Sequence, residues 1–441
     1  MDQLLLRLFM VSCDNSAIQG SLPLVGPSLR SPDNPDHRGL VYQRRSKDSP
    51  GTQLWGIHIR PMNVVVGDGG GGSGVREVPP SLATAQSTST WSPACYTTMF
   101  TGRLGNLMFQ YAALVGFCKA KGRSPETCAS VSQFPVDSSE SVLRPLREFT
   151  SLFRLPTISC PILDHAYFAN FTYDPKVFQQ PYGTTFNGYH QVYKYFHPHA
   201  REEVLRLYSF PSAIRHEGDR FIERVRRNTL KNNRHSQSSN EEAANVSITC
   251  VSIRAGDKIR EKRHFYDEWA LSMDYYAKAI NYIHCCMSTT TANDHKKKRP
   301  YYYAMALFVG GATDADEIML DRAWALQSIR RLYGGHQRDS SINFTAENIF
   351  LEPAQMNHAA AMYAMSRCDN IVVSSSSFSW WSAYFRSANH THSGAAPFIV
   401  APMTPETVAS FVPTDFYLNE WSLLSQFGDH RLQGSCECTV G

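Results

Sequence analysis

The sequence predicts an α/β protein, and three observations lead to this expectation. From residue 245 onward, apolar segments rich in β-branched residues alternate with segments of helical periodicity, which predicts a mostly parallel sheet with helices on both faces. Upstream, apolar residues recur at helical spacing within 107–121, and Gly122 follows as a stop signal. Residues 15–94 are rich in glycine, proline and serine, which predicts a disordered tail or linker.

The predicted elements divide the chain into a tail (1–94), an N-terminal domain (95–245), a Rossmann-like domain (246–425) and a C-terminal tail (426–441). Strands are predicted at 247–253, 302–309, 348–351, 370–374 and 398–401, with helices between them at 274–287, 314–332, 355–368 and 378–386. Within 123–245 the pattern predicts only a helix at 198–208 and a polar linker or loop at 226–240. Because parallel sheets bind ligands at the carboxyl ends of their strands, the loops that follow the strands are expected to form the site.

Composition and charge argue against several classes of protein. The 441 residues carry a formal charge of only +4, and no segment concentrates it enough to indicate a nucleic-acid partner. The basic run at 296–299 lies between a helix and a strand, so it is expected on the side of the sheet away from the site. No apolar run is long enough for a transmembrane anchor, and the apolar N-terminus at 4–11 is a poor signal peptide. The 11 cysteines form no C-x-x-C pair, so zinc-ribbon spacing is absent from the sequence.

Three loops carry residues suited to binding an anion. Arg254 follows a predicted strand, where its planar guanidinium could clamp a phosphate, although a surface salt bridge explains it equally well. A serine-rich turn at 374–379 follows another predicted strand, at 370–374, and opens a helix, as either an anion cradle or a helix cap. The turn TGRLGN at 101–106 precedes the first helix and allows the same two interpretations. Trp380 and Trp381 are expected in the core.

A D-x-D sequence formed by Asp314 and Asp316 raises the question of a metal. Some glycosyltransferases hold a divalent cation with this motif. Thr313 precedes it, however, so the segment also matches the start of a helix, with Thr313 as the cap and acidic residues in the first turn. The helix-start interpretation is favoured, and no metal is expected.

The motifs together resemble a known family. GRLGNLM (102–108), FNGY (186–189) with Tyr195 and Phe196, RAGD (254–257) and SSFSWW (376–381) come in the order seen in galactoside 2-alpha-L-fucosyltransferases, glycosyltransferase family 11. Residues 416–421 resemble the closing aromatic segment of that family. The resemblance covers roughly residues 96–425 and depends on the ordered set, since no single motif is decisive.

The resemblance implies a GT-B-like enzyme that transfers fucose from GDP-fucose, without a metal and with inversion, to the 2-hydroxyl of a galactose-terminated glycan. It also implies a Golgi location and membrane association. Arg254 would grip the diphosphate. Asp257 and Glu261 lie in the loop that follows the predicted strand at 247–253, so either carboxylate could be the general base. The sequence does not choose between them. The remaining donor-binding candidates, besides Arg254 and Asp257, are Arg103, Asn106, Ser376, Ser377 and Phe378.

Two positions depart from the pattern of the family. Ser252 stands where its members usually have His, and Ala255 stands where they usually have a second Arg. A non-catalytic relative that binds a nucleotide or a glycan therefore remains an alternative. A fucosyltransferase with a peptide or another glycan as its acceptor is a further one.

The helix-start interpretation of 313–316 predicts metal-independent turnover. Adding a chelator should leave the rate of fucose transfer unchanged, because the arginine rather than a cation would neutralise the departing diphosphate. The measurement is the rate of GDP release with and without the chelator. Strict dependence on Mn²⁺ or Mg²⁺ would restore the metal-binding interpretation of the D-x-D sequence.

Overall fold

A six-stranded parallel sheet organises the C-terminal part of the chain, and a smaller three-stranded sheet belongs to the part before it.

The structure is a computed structural model, and its described residues are 94–131, 140–156, 158, 160, 166–168, 171–234, 245–256, 271–293, 301–310, 315–334, 345–388, 396–403 and 412–425. All of them lie in one compact unit, Thr84–Gly441. Residues 1–93 and 426–441, which include nearly all of the predicted tails, lie outside the described residues.

The elements follow one another from Thr97 to Ser425. The strands are β1 (Thr97–Thr98), β2 (Ala166–Phe168), β3 (Thr185–Asn187), β4 (Asn245–Arg254), β5 (Tyr301–Gly310), β6 (Ile349–Leu351), β7 (Asn370–Val372), β8 (Ile399–Met403) and β9 (Ser422–Ser425). The helices are α1 (Leu104–Ala120), α2 (Pro125–Cys128), α3 (Glu140–Phe153), α4 (His197–Leu207), α5 (Ser212–Arg234), α6 (Met273–Asn293), α7 (Ala315–Gly334), α8 (His358–Ser366), α9 (Ser377–Ala388) and α10 (Pro413–Phe416). Short 3₁₀ turns lie at Pro175–Gln179, Tyr193–Tyr195 and Ala346–Asn348.

The large sheet has the strand order β6-β5-β4-β7-β8-β9, and every pairing is parallel. β4 lies between β5 and β7, and its residues from Ser247 to Ile253 are buried. A parallel strand that is covered on both faces needs a continuous apolar run, and the sequence of β4 supplies most of one. The predicted α/β class, with a Rossmann-type C-terminal sheet and a smaller α/β part before it, is confirmed.

The N-terminal part is built around helix α1. A three-stranded parallel sheet, in the order β1-β3-β2, lies beside it. Between Gly105 and Cys118 only Asn106 is not buried, so α1 runs through the interior. A helix that is apolar on all sides is stable only when it is covered on all sides. The helix ends where Gly122, at φ +68°, allows the N–H of Arg123 to bond back to the carbonyl of Cys118 at 2.9 Å.

Three disulfides join pairs of described residues within this unit. Cys95 is bonded to Cys160, Cys118 in α1 to Cys128 in α2, and Cys250 in β4 to Cys368 just after α8. The third bond connects the central strand to the segment that leads into β7. No helix among the described residues is long and apolar enough to cross a membrane.

The structure departs from the sequence-based elements in a few places. The segment 226–234, predicted as part of a linker, is the last third of α5, because Val225 and Thr229 continue the buried face begun by Phe221. Helix α8 begins at His358 rather than 355, where the side chain of Asn357 accepts a hydrogen bond from the N–H of Ala359 at 2.8 Å. β9 and the N-terminal sheet were not predicted, and the predicted domain boundaries stay a prediction.

Gly116 provides a test of the packing around α1. A Cβ at this position would lie 2.0 Å from the carbonyl oxygen of Tyr195, a backbone atom that cannot easily move. Gly116→Ala should therefore lower the free energy of unfolding by about 1–3 kcal/mol, although alanine is normally the better helix former. Urea denaturation measures the change.

Gly310→Ala is the matched control for this variant. A Cβ on Gly310 would meet no atom within 4 Å, so its stability should stay close to that of the wild type. Equal stability of the two variants would contradict the close approach of α1 to the 193–195 turn.

Candidate functional site

The strand order of the large sheet marks one place as a binding crevice. From β4 the chain moves outward to β5 and β6, and then returns to the other side of β4 to form β7. The order β6-β5-β4-β7-β8-β9 is the 3-2-1-4-5-6 order of dinucleotide-binding sheets. Because the two crossovers leave in opposite directions, a crevice opens beyond the carboxyl ends of β4 and β7, and open α/β sheets bind ligands there.

Arg254 and the serine-rich turn face each other across this crevice. Arg254 is the last residue of β4 and is half-buried, and its Nη1 donates a hydrogen bond to the carbonyl of Ser375 at 3.2 Å. Ser375 follows the end of β7 by three residues. The prediction that both loops meet at one edge of the sheet is confirmed. A guanidinium carries its N–H donors in a planar fork, which is the arrangement that suits a phosphate.

A row of buried hydroxyl groups fixes the start of this turn. Ser252 Oγ in β4 lies 3.0 Å from Ser374 Oγ, and Ser374 Oγ lies 3.2 Å from Ser379 Oγ in the first turn of α9. All three side chains are buried. Polar groups in such a place are stable only when hydrogen-bonded, so the row ties β4 to the beginning of α9. Ser252 is one of the positions that depart from the family pattern.

The next three serines play different parts. Ser376 Oγ accepts a hydrogen bond from the N–H of Phe378 at 3.3 Å and so caps α9. Ser377 Oγ donates to Asn106 Oδ1 at 2.6 Å. Ser375 is 8% exposed, and its Oγ has no hydrogen-bond partner among the described residues. A buried hydroxyl beside a guanidinium and a helix N-terminus is well placed to donate to an anion.

The GRLGN turn packs directly against the serine-rich turn. A Cβ on Gly105 would lie 2.7 Å from the carbonyl carbon of Ser377 and 2.8 Å from the backbone nitrogen of Phe378, so only glycine allows this approach. The indole Nε1 of Trp381 donates to the carbonyl of Gly105 at 3.0 Å. Asn106 Oδ1 accepts from Gln191 Nε2 at 2.8 Å as well as from Ser377. The N-termini of α1 and α9 therefore meet at the crevice.

Helix α7 holds two loops at the same edge of the sheet. Asp321 Oδ2 accepts a hydrogen bond from the N–H of Gly256, just after Arg254, at 2.8 Å. The next residue, Arg322, donates from Nη1 to Glu352 Oε1 at 2.6 Å, and both side chains are 8% exposed. Glu352 follows β6, and its Oε1 also accepts from the N–H of Val309 in β5 at 3.1 Å. These bonds fix the ends of β4, β5 and β6 relative to one another.

The carboxyl group of Glu352 is buried, which is unusual for an acidic side chain. Burial raises its pKa to about 7, although the guanidinium of Arg322 and the N–H of Val309 oppose the shift. Its Oε2 has no hydrogen-bond partner among the described residues. The sequence-based candidates include Ser375 only as part of the serine-rich turn, and they do not include Asp321 or Glu352. The rule that residues just after a strand face the site would have selected Glu352, whereas Asp321 lies inside a helix.

Most of the other predicted residues can be placed. Arg103 is exposed at the start of α1, where its carbonyl accepts hydrogen bonds from the N–H groups of Asn106 and Leu107. Phe378 is half-buried in the first turn of α9, and the two tryptophans after it belong to the core as predicted. Asp257 and Glu261 lie outside the described residues, so the choice of the catalytic base stays open.

The structure bears on the D-x-D segment only in part. Thr313 and Asp314 lie outside the described residues, whereas Asp316 is in the first turn of α7. Among the described residues, no group of three or more His, Cys, Asp or Glu side chains is arranged to hold a metal ion.

The loop after β3 connects to the same region through Gln110. This buried side chain accepts a hydrogen bond from the N–H of Thr101 and donates one to the carbonyl of Gly188, both at 3.1 Å. His190 follows, with φ +49°, and is 1% exposed. Its Nε2 lies 3.5 Å from Thr98 Oγ1, and its Nδ1 has no hydrogen-bond partner among the described residues. Burial lowers the pKa of His190 to about 4, which keeps the ring neutral at pH 7.

Comparison with known proteins finds matches among solved structures only. No protein-family profile matches the chain, and no curated protein matches its sequence. Similar solved structures include the fucosyltransferase NodZ from Bradyrhizobium, with 13% identity over 68% of this chain and 94% of that one and a TM-score of 0.31. They also include POFUT1 in complex with GDP, with 12% identity over 71% of this chain and 99% of that one and a TM-score of 0.33. Similarity this weak does not establish the function of the chain. The evidence for the function is therefore the geometry of the crevice.

The neutral ring of His190 predicts a specific loss of stability in acid. Its pKa is lowered in the folded state, so the unfolded chain binds more protons between pH 6.5 and pH 4. As the pH falls through this window, the free energy of unfolding should fall by about 3 kcal/mol because of this residue. His190→Asn should lose this contribution and still fold, since asparagine tolerates a positive φ. Denaturation curves between pH 4 and pH 7 compare the two proteins. A ring that titrates near pH 6.5 by NMR would contradict the prediction.

Proposed function

We propose that this chain is a fucosyltransferase that moves L-fucose from GDP-fucose to the 2-hydroxyl of a galactoside, with inversion and without a metal. One observation carries the proposal: the 3-2-1-4-5-6 sheet brings Arg254 and the serine-rich turn together at its binding crevice, with the GRLGN turn packed against them. These are three of the motifs whose order resembles glycosyltransferase family 11. The acceptor and the linkage rest on that resemblance.

The donor would bind with its diphosphate between Arg254 and the N-terminus of α9. Arg254 offers a fork of N–H groups, and the hydroxyl of Ser375 adds a buried donor next to it. The N-terminus of a twelve-residue helix adds the positive end of its dipole. Ala255 is fully buried, and its N–H bonds to the carbonyl of Gly310 at 2.9 Å. Position 255 therefore has no role in holding the donor, and Arg254 carries that charge.

The proposed reaction is a single displacement at the anomeric carbon of fucose. A carboxylate, Asp257 or Glu261, takes the proton from the 2-hydroxyl of the acceptor galactose as the new C–O bond forms. The bond between C1 and the diphosphate breaks on the opposite face, and negative charge accumulates on the leaving GDP. Arg254 and the dipole of α9 stabilise that charge, which is greater in the transition state than in the bound donor.

The proposed location is the Golgi, with the membrane association expected from the resemblance. The three disulfides support a compartment that permits disulfide formation, as the secretory pathway does. Two of them anchor elements that carry the candidate site, because Cys118 lies in α1 and Cys250 in β4.

A second candidate function is a relative that binds a nucleotide or a glycan without catalysis. The alanine at position 255 favours it, because the family usually has a second arginine there and the side chain of Ala255 is fully buried. GDP release from GDP-fucose, measured with and without a β-galactoside, separates the two. Release that depends on the galactoside supports a transferase, and release that depends on a peptide instead points to another acceptor. Binding of GDP without turnover supports the non-catalytic candidate.

Arg254 gives the sharpest test of the donor site. Arg254→Ala should lower kcat/KM for GDP-fucose at least ~10–100-fold, because a charge-assisted contact to the diphosphate is lost. Arg254→Lys should also be impaired, since an ammonium keeps the charge but loses the planar fork. Steady-state kinetics at saturating acceptor measure both effects.

The matched control is Arg220→Ala, an exposed arginine on α5 whose loss should leave kcat/KM unchanged. Thermal melting of all three variants separates folding from catalysis. If Arg254→Ala melts at a lower temperature but keeps near-normal kcat/KM, Arg254 is a structural residue and the donor site lies elsewhere.

A further inference from the structure

A cleft of about 400 Å³ lies between the loops of the N-terminal part and the segment that follows α10. Its lining combines an aromatic wall with polar side chains: Tyr173, Tyr193, Lys194, His197, Asn419 and Glu420. None of them belongs to the candidate donor site. Nothing in the mechanism proposed above uses the cleft.

The charged groups of the cleft are arranged unevenly. Lys194 Nζ is bonded to Asp415 Oδ1 at 2.6 Å, and Asp415 Oδ2 also accepts from the N–H of Tyr173 at 2.9 Å. This pair is therefore satisfied internally. Glu420 is exposed at the rim, and no described residue bonds to its carboxylate. One acceptor group of the cleft is thus left for a ligand.

His197 adds a second polar group without a charge. Its Nδ1 lies 3.1 Å from the hydroxyl of Tyr384 in α9, and no described residue bonds to its Nε2. Burial, followed by the charge of Arg201, lowers its pKa, while Glu420 on the facing segment raises it. At neutral pH the ring is therefore uncharged and can donate or accept a hydrogen bond.

These features define the chemistry of a suitable ligand. The unpaired carboxylate disfavours an anion, and the ammonium of Lys194, 5.9 Å from the ring centre of Tyr173, disfavours a cation on that ring. A neutral polyhydroxylated ring offers hydroxyls to Glu420, Asn419 and His197. Its C–H face can pack on tyrosine, whose ring face is electronegative. The charges, the hydrogen-bonding groups and the aromatic wall therefore all favour an uncharged sugar.

The position of the cleft relates it to the donor site. Gln191, two residues before Tyr193, bonds to Asn106, which also accepts from Ser377 at the start of α9. Tyr384, the partner of His197, is seven residues further along α9, which corresponds to about 10 Å along the helix. A glycan longer than one sugar is needed to reach from the donor site to the cleft.

We propose that this cleft binds an uncharged sugar residue of a glycan, at a distance from the hydroxyl that reacts. Its identity as a subsite for the acceptor rests on the proposed function, whereas its affinity for the sugar does not. The cleft would hold the inner part of the acceptor and leave the terminal sugar at the donor site.

The test is a titration of the full chain with N-acetyllactosamine in the absence of GDP-fucose, followed by calorimetry or protein NMR. The wild-type protein should bind the disaccharide. Glu420→Gln and Asn419→Ala should each weaken binding about tenfold, and both positions are exposed, so folding should persist. Glu223→Gln, an exposed carboxylate on α5, is the matched control and should bind as the wild type does.

Separate titration with GDP distinguishes the two proposals. Sugar binding that is weakened in both cleft variants, with GDP binding unchanged, supports the cleft proposal even if no fucose is transferred. Absence of sugar binding by the wild-type protein, or equal binding by all the variants, would overturn it. Binding of choline but not of the sugar, lost in Glu420→Gln, would overturn it too and would identify a cation site.

Discussion

The close contact between the N-termini of α1 and α9 is the constraint on which the candidate site depends. Gly105 lies directly against the backbone of Ser377 and Phe378, and the side chain of Asn106 bonds to Ser377. Behind this contact, Phe109 packs on Trp380 with ring centres 4.5 Å apart, and Trp380 Nε1 donates to the carbonyl of Phe416 at 2.7 Å. Aromatic pairs of this kind add about 0.5–1.5 kcal/mol each beyond their burial. The core therefore holds two helix ends in register at the crevice.

A single substitution at the contact between α1 and α9 would affect both the packing of the core and the binding site. A larger residue at Gly105 would push the serine-rich turn away from Asn106, and the same turn carries Ser375 toward Arg254. The serine row from Ser252 to Ser379 resists such a movement from the other side. The packing of α1 and the shape of the binding site thus depend on the same backbone atoms of Ser377 and Phe378. This explains why glycine is required at position 105, inside a helix.

The sequence predicts five of the six strands of the C-terminal sheet, because each of these five is a compact apolar run and the helices between them show their own period. The exception is β9, which has four residues and a serine at each end. Arg254 and the serine-rich turn were found by one rule, that ligands bind where parallel strands end. The strand order could not be read from the sequence, since it depends on which edge of β4 receives β7. Asp321 and the Arg322–Glu352 pair escaped for a related reason. The partners of Asp321 and Arg322 lie in other elements, and nothing local distinguishes these two residues from an ordinary charged helix surface. The N-terminal sheet escaped because its strands have only two or three residues.

The central position of β4 has a consequence for the order in which the chain can fold during synthesis. Its first partner, β5, begins at Tyr301, but the pairing of Thr249 with Asn370 in β7 requires most of the chain. Until residue 370 has left the ribosome, one edge of this buried strand has no neighbour, and an uncovered edge invites pairing with other chains. The crevice is delayed in the same way, because Arg254 cannot meet the serine-rich turn before the start of α9 is made. The nascent protein therefore exposes this edge from the completion of β4 until β7 is made, and it gains a binding crevice only near the end of its synthesis.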